Sequence, residues 1–237
     1  MNILEKFSAK QRDYQSARTP SIAFFGDSVT HGCFEIYMKN EKLETIVDTK
    51  NGYPEKIRGI FNILYPDVPV NIINAGISGD TAGNAQNRIE RDVLSFNPDL
   101  VVVCFGLNDA MQGAEGITKY KNALCTIFQR IKKSGSDIIL LTPNLTTDKA
   151  EIPFDDETLD GAVNSVIENE WLSSYLEEAK KEAHSQGIPV CDCNAIWEKL
   201  IENGVNVNNL LSNRVNHPTR EMHWLFAYEI VKTIFNN

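Results

Sequence analysis

The chain has 237 residues, 42% of them hydrophobic, and a formal net charge of −9 at neutral pH. This length and composition predict a single globular domain over residues 1–237. Nucleic acids and anionic membrane surfaces attract clustered Lys and Arg, so the acidic balance argues against both as partners.

The first segment, residues 1–19, is predicted to hold an amphipathic helix. Charged residues run through it, and it contains no apolar stretch of the length that a secretory signal needs. No part of the chain has the length and apolar character of a membrane span. The cysteines are odd in number and include no C-x-x-C pair, which favours reduced core residues and hence a cytoplasmic protein. The helix packs either on its own domain or on a second subunit, so a homo-oligomer stays open.

Five short apolar segments predict β-strands, at residues 21–25, 70–74, 100–105, 137–142 and 188–191. They do not alternate between apolar and polar residues, which is typical of strands buried on both faces of a parallel sheet. Amphipathic helical segments separate them, as crossover connections require. The predicted fold class is therefore α/β, a three-layer α/β/α sandwich with a flavodoxin-like five-stranded parallel sheet in the order 2-1-3-4-5.

Three regions between these elements carry further predictions. Residues 32–52 read as a polar, irregular stretch, and Asp80 is predicted to cap a helix that continues through Asp92. Residues 144–171 hold many acidic residues against a single lysine and are predicted to form an acidic flap. If this flap covers a binding site, it disfavours anionic substrates by like-charge repulsion.

The loops that leave three neighbouring strands of this sheet carry Ser28, Gly79 and Asn108. Loops at the carboxyl ends of strands one, two and three flank the crevice where open α/β sheets bind ligands. A hydroxyl, an unobstructed glycine N–H and an amide side chain are the groups that acyl transfer needs as nucleophile and oxyanion donors. His217 is the best placed of the four histidines to act as the base.

Four separated blocks give the chain a resemblance to the SGNH/GDSL hydrolase superfamily, in its carbohydrate-esterase-like branch. Gly26-Asp27-Ser28 looks like the nucleophile block, and Gly79 like the glycine of the second block. Gly106-Leu107-Asn108-Asp109 is similar to the G-x-N-D block, and His217-Pro218 to the H-P of the last block. The four occur in order and span residues 26–218.

The resemblance implies that Ser28 attacks an ester carbonyl while His217 removes its proton and later returns it to the leaving group. It also implies an oxyanion hole formed by the N–H groups of Ser28 and Gly79 and the amide of Asn108. Neither a metal ion nor an organic cofactor is implied.

One position departs from the family pattern. The family usually has D-x-x-H in the last block, whereas Arg214 stands three residues before His217. An arginine has no acceptor for the imidazole Nδ1 proton. Either a backbone carbonyl near Asn213, Arg214 or Asn216 orients His217, or an acid from elsewhere does so, such as Asp192. Asp27 either touches the site or bonds to the loop at residues 108–109, and the structural bond is favoured.

These residues predict an ester hydrolase that acts on small acyl esters, with a neutral acylated sugar as the favoured substrate and a carbohydrate O-acetylesterase as the favoured activity. A lysophospholipase or thioesterase of the same superfamily is the enzymatic alternative. A non-catalytic carbohydrate-binding protein that retains the fold is the alternative from another class, because Arg214 replaces the usual acid.

Overall fold

A parallel β-sheet forms the centre of the protein in its computed structural model, which describes residues 1–40, 42–147 and 157–237. The strands of the described residues are β1 Ser21–Gly26, β2 Cys33–Lys39, β3 Lys42–Val47, β4 Asn71–Gly76, β5 Leu100–Cys104, β6 Asp137–Leu141 and β7 Val190–Cys191. The α-helices are α1 Asn2–Arg12, α2 Ser28–His31, α3 Tyr53–Leu64, α4 Ala82–Ala85, α5 Ile89–Asp92, α6 Gly113–Ser134, α7 Glu157–Glu168, α8 Trp171–Ser185, α9 Cys193–Glu202 and α10 His223–Asn236.

The central sheet has the order β4-β1-β5-β6-β7, and every pairing in it is parallel. The predicted strands one to five correspond to β1, β4, β5, β6 and β7. The observed order therefore confirms the predicted fold class and the order 2-1-3-4-5. Strand β1 lies between β4 and β5, so the loops that follow these three strands meet at one edge of the sheet.

Helices cover both faces of the sheet, which is why its central strands are buried along their whole length and are mostly apolar. All residues of β1 and β5 are buried. Phe24 and Phe25 point to opposite faces, as successive strand residues do. Phe24 packs edge-on against Tyr53 of α3, and Phe25 packs edge-on against Phe105 after β5.

Helix α1 packs on its own domain. Ile3 and Phe7 are fully buried, and the ring of Phe7 stacks on Phe61 of α3 with a centroid distance of 4.5 Å. Among the described helices, none combines the length and apolar character needed to cross a membrane.

Two sequence predictions about the connections are wrong. Residues 32–52 are not irregular, because β2 and β3 pair there as an antiparallel hairpin outside the main sheet. The hairpin is largely exposed on its outer part, so it lacks the strong apolar signal of a core strand. The helix predicted from Asp80 to Asp92 is instead two short helices, α4 and α5, and the side chain of Thr81 caps the first.

The predicted acidic flap over residues 144–171 is only partly covered by the structure, because residues 148–156 lie outside the described residues. Its second half contains helix α7, which buries Val163 and Val166. Helix α7 packs beside α8 and beside the turn Ala110–Gln112, which follows the Asn108 loop. After residues 148–156, the segment is therefore mainly a packed helix next to the predicted site.

Candidate active site

Ser28 is the first residue of helix α2, directly after strand β1. The carboxylate of Asp27 caps this helix by accepting the N–H of Val29 at 3.0 Å. A Cβ atom on Gly26 would lie 2.6 Å from the carbonyl oxygen of Cys104, so only glycine allows this close passage. The turn holds Ser28 at the carboxyl edge of the sheet, where it is buried.

His217 contacts Ser28 directly. Its Nε2 lies 3.0 Å from Ser28 Oγ, and its Nδ1 lies 2.8 Å from the carbonyl oxygen of Phe34. A carbonyl only accepts, so Nδ1 carries the proton and Nε2 is left as the acceptor for the serine hydroxyl. Burial lowers the pKa of His217, and the bond to Phe34 partly opposes this. The imidazole is therefore neutral at neutral pH and is oriented to take the serine proton.

The side chain of Asn213, four residues before His217, holds the main chain of the loop that carries the histidine. The Oδ1 atom of Asn213 accepts the N–H groups of Val215, Asn216 and His217 at 3.0, 2.9 and 2.8 Å. The carbonyl oxygen of His217 accepts the N–H of Ser212 at 2.7 Å. Asn213 thus fixes the loop that carries the histidine and does not contact the imidazole Nδ1.

The expected partner of His217 is corrected by these contacts. A backbone carbonyl does orient the ring, but it belongs to Phe34 in the hairpin and not to Asn213, Arg214 or Asn216. Arg214 is exposed and has a φ of +56°, and the carbonyl of Asn216 accepts the amide of Asn144 at 2.8 Å instead.

Asp192 also has a different role from the one proposed for it. It caps helix α9 and accepts the hydroxyl of Thr142 at 2.8 Å and the ammonium of Lys180 at 3.3 Å. These bonds lie beside β6 and β7, on the side of the sheet away from β1 and β4. Asp192 therefore does not supply the missing acid.

Gly79 and Asn108 lie on the loops after β4 and β5, at the same edge as Ser28. Gly79 has a φ of +76°, and there is open space where its Cβ would be. The Nδ2 atom of Asn108 donates to the carbonyl oxygen of Asp80 at 2.9 Å. That bond uses one of the two amide hydrogens and leaves the other to donate elsewhere.

Arg88 connects these loops, although no sequence motif singles it out. Its guanidinium pairs with Asp80 at 2.7 Å and donates to the carbonyl oxygens of Ala75 at 2.7 Å and Gly26 at 3.1 Å. The ends of β1 and β4 and Asp80, the residue after Gly79, are thus held by one largely buried side chain. The only feature of Arg88 in the sequence is that it falls within the helix predicted from Asp80 to Asp92.

Two buried carboxyl groups lie close to the site. Burial raises the pKa of Asp27 and of Asp109 to about 7. Asp109 accepts the N–H of Ala82 at 3.0 Å. The favoured bond from Asp27 to the 108–109 loop is not formed, and its Oδ2 has no hydrogen-bond partner among the described residues. Within the same residues, no group of three or more His, Cys, Asp or Glu side chains is arranged to hold a metal ion.

Comparisons with known proteins agree with this arrangement of the fold. The model of the GDSL-like Lipase/Acylhydrolase family matches residues 24–225. An acetylxylan esterase of Geobacillus stearothermophilus is 28% identical over 52% of this chain and 58% of that protein. An arylesterase of Vibrio mimicus is 32% identical over 43% of this chain and 54% of that protein. The chain thus spans about half the length of the curated relatives it matches.

Solved structures resemble the chain over nearly its full length. A catalytic mutant of the Geobacillus stearothermophilus acetylxylan esterase has a TM-score of 0.68 at 21% identity and covers 91% of this chain and 94% of its own. An alpha/beta hydrolase enzyme from the metagenome of Lake Arreo has a TM-score of 0.68 at 18% identity, over 90% and 94%. These likenesses show the fold, and the family model confirms the resemblance expected from the four sequence blocks. The chain belongs to the GDSL-like lipase/acylhydrolase family.

Proposed function

We propose that the protein is a serine esterase that hydrolyses small acyl esters, with an acetylated neutral carbohydrate as its favoured substrate. The observation that carries this proposal is the pair of bonds made by His217, to Ser28 Oγ through Nε2 and to the Phe34 carbonyl through Nδ1. A nucleophile, a base and a group that orients the base are thus linked by consecutive hydrogen bonds.

In the first half of the reaction, Ser28 Oγ forms a bond to the ester carbonyl carbon while its proton moves to Nε2 of His217. The tetrahedral intermediate then collapses, the bond to the alcohol oxygen breaks, and His217 returns the proton to that oxygen. The Phe34 carbonyl accepts from Nδ1–H throughout and stabilises the imidazolium, although as a neutral dipole it does so less than an aspartate would.

The negative oxygen of the intermediate needs donors that are already in place. The N–H of Ser28 at the start of α2, the N–H of Gly79 and the second amide hydrogen of Asn108 fit this role by their places on adjoining loops. In the second half, water attacks the acyl carbon, His217 takes its proton, and the acid leaves as Ser28 recovers its hydrogen.

The substrate class rests on charge and on the relatives. The net charge of −9 disfavours anionic esters, including lysophospholipids with acidic headgroups. In the Geobacillus acetylxylan esterase, the catalytic mutants replace a serine, an aspartate and a histidine, and that aspartate precedes the histidine by three positions. Arg214 occupies that spacing here, so the proposed mechanism uses the Phe34 carbonyl in place of the carboxylate. The cytoplasmic location stays a prediction.

The test of this proposal is covalent labelling followed by a substrate panel. A fluorophosphonate probe is expected to label the native protein and not the heat-unfolded protein, since only the folded site activates Ser28. Acetylated xylooligosaccharides are expected to turn over faster than longer acyl esters or lysophospholipids. Absence of labelling would favour a binding protein, and a preference for lysophospholipid or thioester would contradict the substrate class.

Asn108→Ala is expected to lower kcat by about a hundred- to a thousandfold, the range for loss of one oxyanion donor, with little change in KM. The matched control is Asn203→Ala, because the exposed Asn203 amide also donates to a backbone carbonyl, that of Lys199, at the end of α9. Steady-state kinetics with an acetyl ester measure both variants. An Asn108→Ala enzyme with unchanged kcat would remove this residue from the oxyanion hole.

A further inference from the structure

The carbonyl that faces His217 lies in an irregular part of the β2–β3 hairpin. Cys33 pairs with Val47 and Ile36 pairs with Thr45, so β2 has one more residue than β3 between these two pairs. This is a β-bulge that contains Phe34 and Glu35. The Phe34 carbonyl is therefore turned out of the ladder, and the strand pairing alone does not set its direction.

Arg220, three residues after His217, holds both residues of that peptide unit. Its Nη1 and Nη2 donate to the two carboxylate oxygens of Glu35 at 2.5 and 3.0 Å. Its guanidinium carbon lies 4.3 Å from the ring centroid of Phe34. The amide plane between Phe34 and Glu35 includes the carbonyl oxygen that accepts from His217, so one side chain restrains that plane from both ends.

The same guanidinium also reaches the other strand of the hairpin. Its Nε donates to Asp48 at 3.1 Å, just after β3, and the N–H of Asp48 donates to the Gly32 carbonyl at 2.8 Å at the base of the hairpin. The bond to Arg220 is the largest cause that lowers the pKa of Glu35, whereas the pKa of Asp48 is lowered first by the amide of Asn51 and then by Arg220. Both carboxylates are thus charged at neutral pH and keep the contact.

We propose that Arg220 is a positioning residue that aims the Phe34 carbonyl at Nδ1–H of His217. This inference rests on the Ser28–His217 mechanism proposed above. Partly exposed ion pairs contribute little to stability, and the side chains of Arg220 and Glu35 are 30% and 40% exposed. The contribution of Arg220 is therefore geometric: it fixes the distance between the histidine loop and the hairpin.

The kinetic test compares three substitutions with a matched control. Arg220→Met is expected to lower kcat by up to about a hundredfold, the cost of a misplaced catalytic contact, with KM unchanged. Arg220→Lys is expected to have a higher kcat than Arg220→Met, because lysine keeps the positive charge. It is expected to stay below the wild type, because lysine lacks the guanidinium fork that spans Glu35 and Asp48. Glu35→Gln, which keeps an oxygen acceptor, is expected to fall between wild type and Arg220→Met.

The control is Arg58→Met. Arg58 makes a similar two-point pair with Glu55 on α3 and is 35% exposed, but it binds the carbonyl of Val70 before β4, at the opposite edge of the sheet. Its kcat is expected to match the wild type. Thermal unfolding of every variant shows whether a loss of activity is a loss of fold, in which case Glu35→Gln carries the test.

An NMR measurement separates this inference from the proposed function. The Nδ1–H of His217, assigned by its absence in His217→Ala, is expected to give a slowly exchanging, low-field proton signal in the wild type and in Arg58→Met. The signal is expected to disappear in Arg220→Met. If the wild type shows the signal but hydrolyses no ester, and Arg220→Met loses the signal, the positioning role is supported and the esterase is rejected. An unchanged signal and kcat in Arg220→Met would overturn the positioning role, and so would a wild type without the signal.

Discussion

Replacing Ser28 by alanine is expected to lower kcat for an acetyl ester by about ten-thousand- to a million-fold. The upper figure is the loss when the serine of a complete triad is removed, and a smaller loss is expected here because a carbonyl stands in for the acid. The proton acceptor and the oxyanion donors stay in place, so water attacks without a covalent intermediate. The side chain of Ser28 is buried, and its hydroxyl bonds only to His217 among the described residues. Its removal therefore costs the fold about one hydrogen bond, on the order of 1 kcal/mol.

Kinetics with a chromogenic acetyl ester, and labelling with a fluorophosphonate, measure this effect. The matched control is Ser95→Ala, because the hydroxyl of the exposed Ser95 donates to a backbone carbonyl, that of Arg91, and lies away from the crevice. The control is expected to keep full activity and labelling. A Ser28→Ala protein that still turns over the ester at the wild-type rate would end the nucleophile assignment.

The central sheet could be predicted because burial on both faces leaves a direct mark on the sequence. β5 is an unbroken apolar run, β1 is one from Ile22 to Phe25, and helices α3 and α6 each carry one apolar face. The hairpin leaves no such mark, because its outer residues face solvent on both sides and neither strand joins the sheet. The helix break between α4 and α5 was also invisible, since no Gly or Pro stands between Ala85 and Ile89.

The site could be predicted as far as its chemistry depends on residue type. The sequence blocks indicate Ser28 and His217, and the structure brings them into contact. The partner of His217 Nδ1 is a backbone carbonyl. Every residue has one, so the residue types in the sequence cannot predict which carbonyl it is. Arg214 at the usual acid position was the only sign that another group takes this role. Arg220 could not be recognised either, because its effect depends on a hairpin that the sequence did not predict.

Replacing His217 by alanine is expected to lower kcat about as much as replacing Ser28, by about ten-thousand- to a million-fold, because the two residues act as one unit. The serine hydroxyl then has no base within reach. His184→Ala is the matched control, since His184 is exposed on α8, and it is expected to retain wild-type kinetics. His31 ends the short helix α2 that Ser28 begins and is a second histidine near the nucleophile. A His217→Ala enzyme that stays active until His31 is also replaced would make His31 the base.

The pH profile of the wild-type enzyme tests the same residue without a mutation. His217 must be neutral to accept the serine proton, and burial lowers its pKa below the ordinary histidine value of about 6.5. Hydrolysis is therefore expected to be at its plateau at neutral pH. As the pH falls through this lowered pKa, His217 takes up a proton and kcat/KM decreases, so the acid limb lies below about pH 6.5. An acid limb at or above the ordinary value would contradict the assignment of His217, buried between Ser28 and Phe34, as the titrating base.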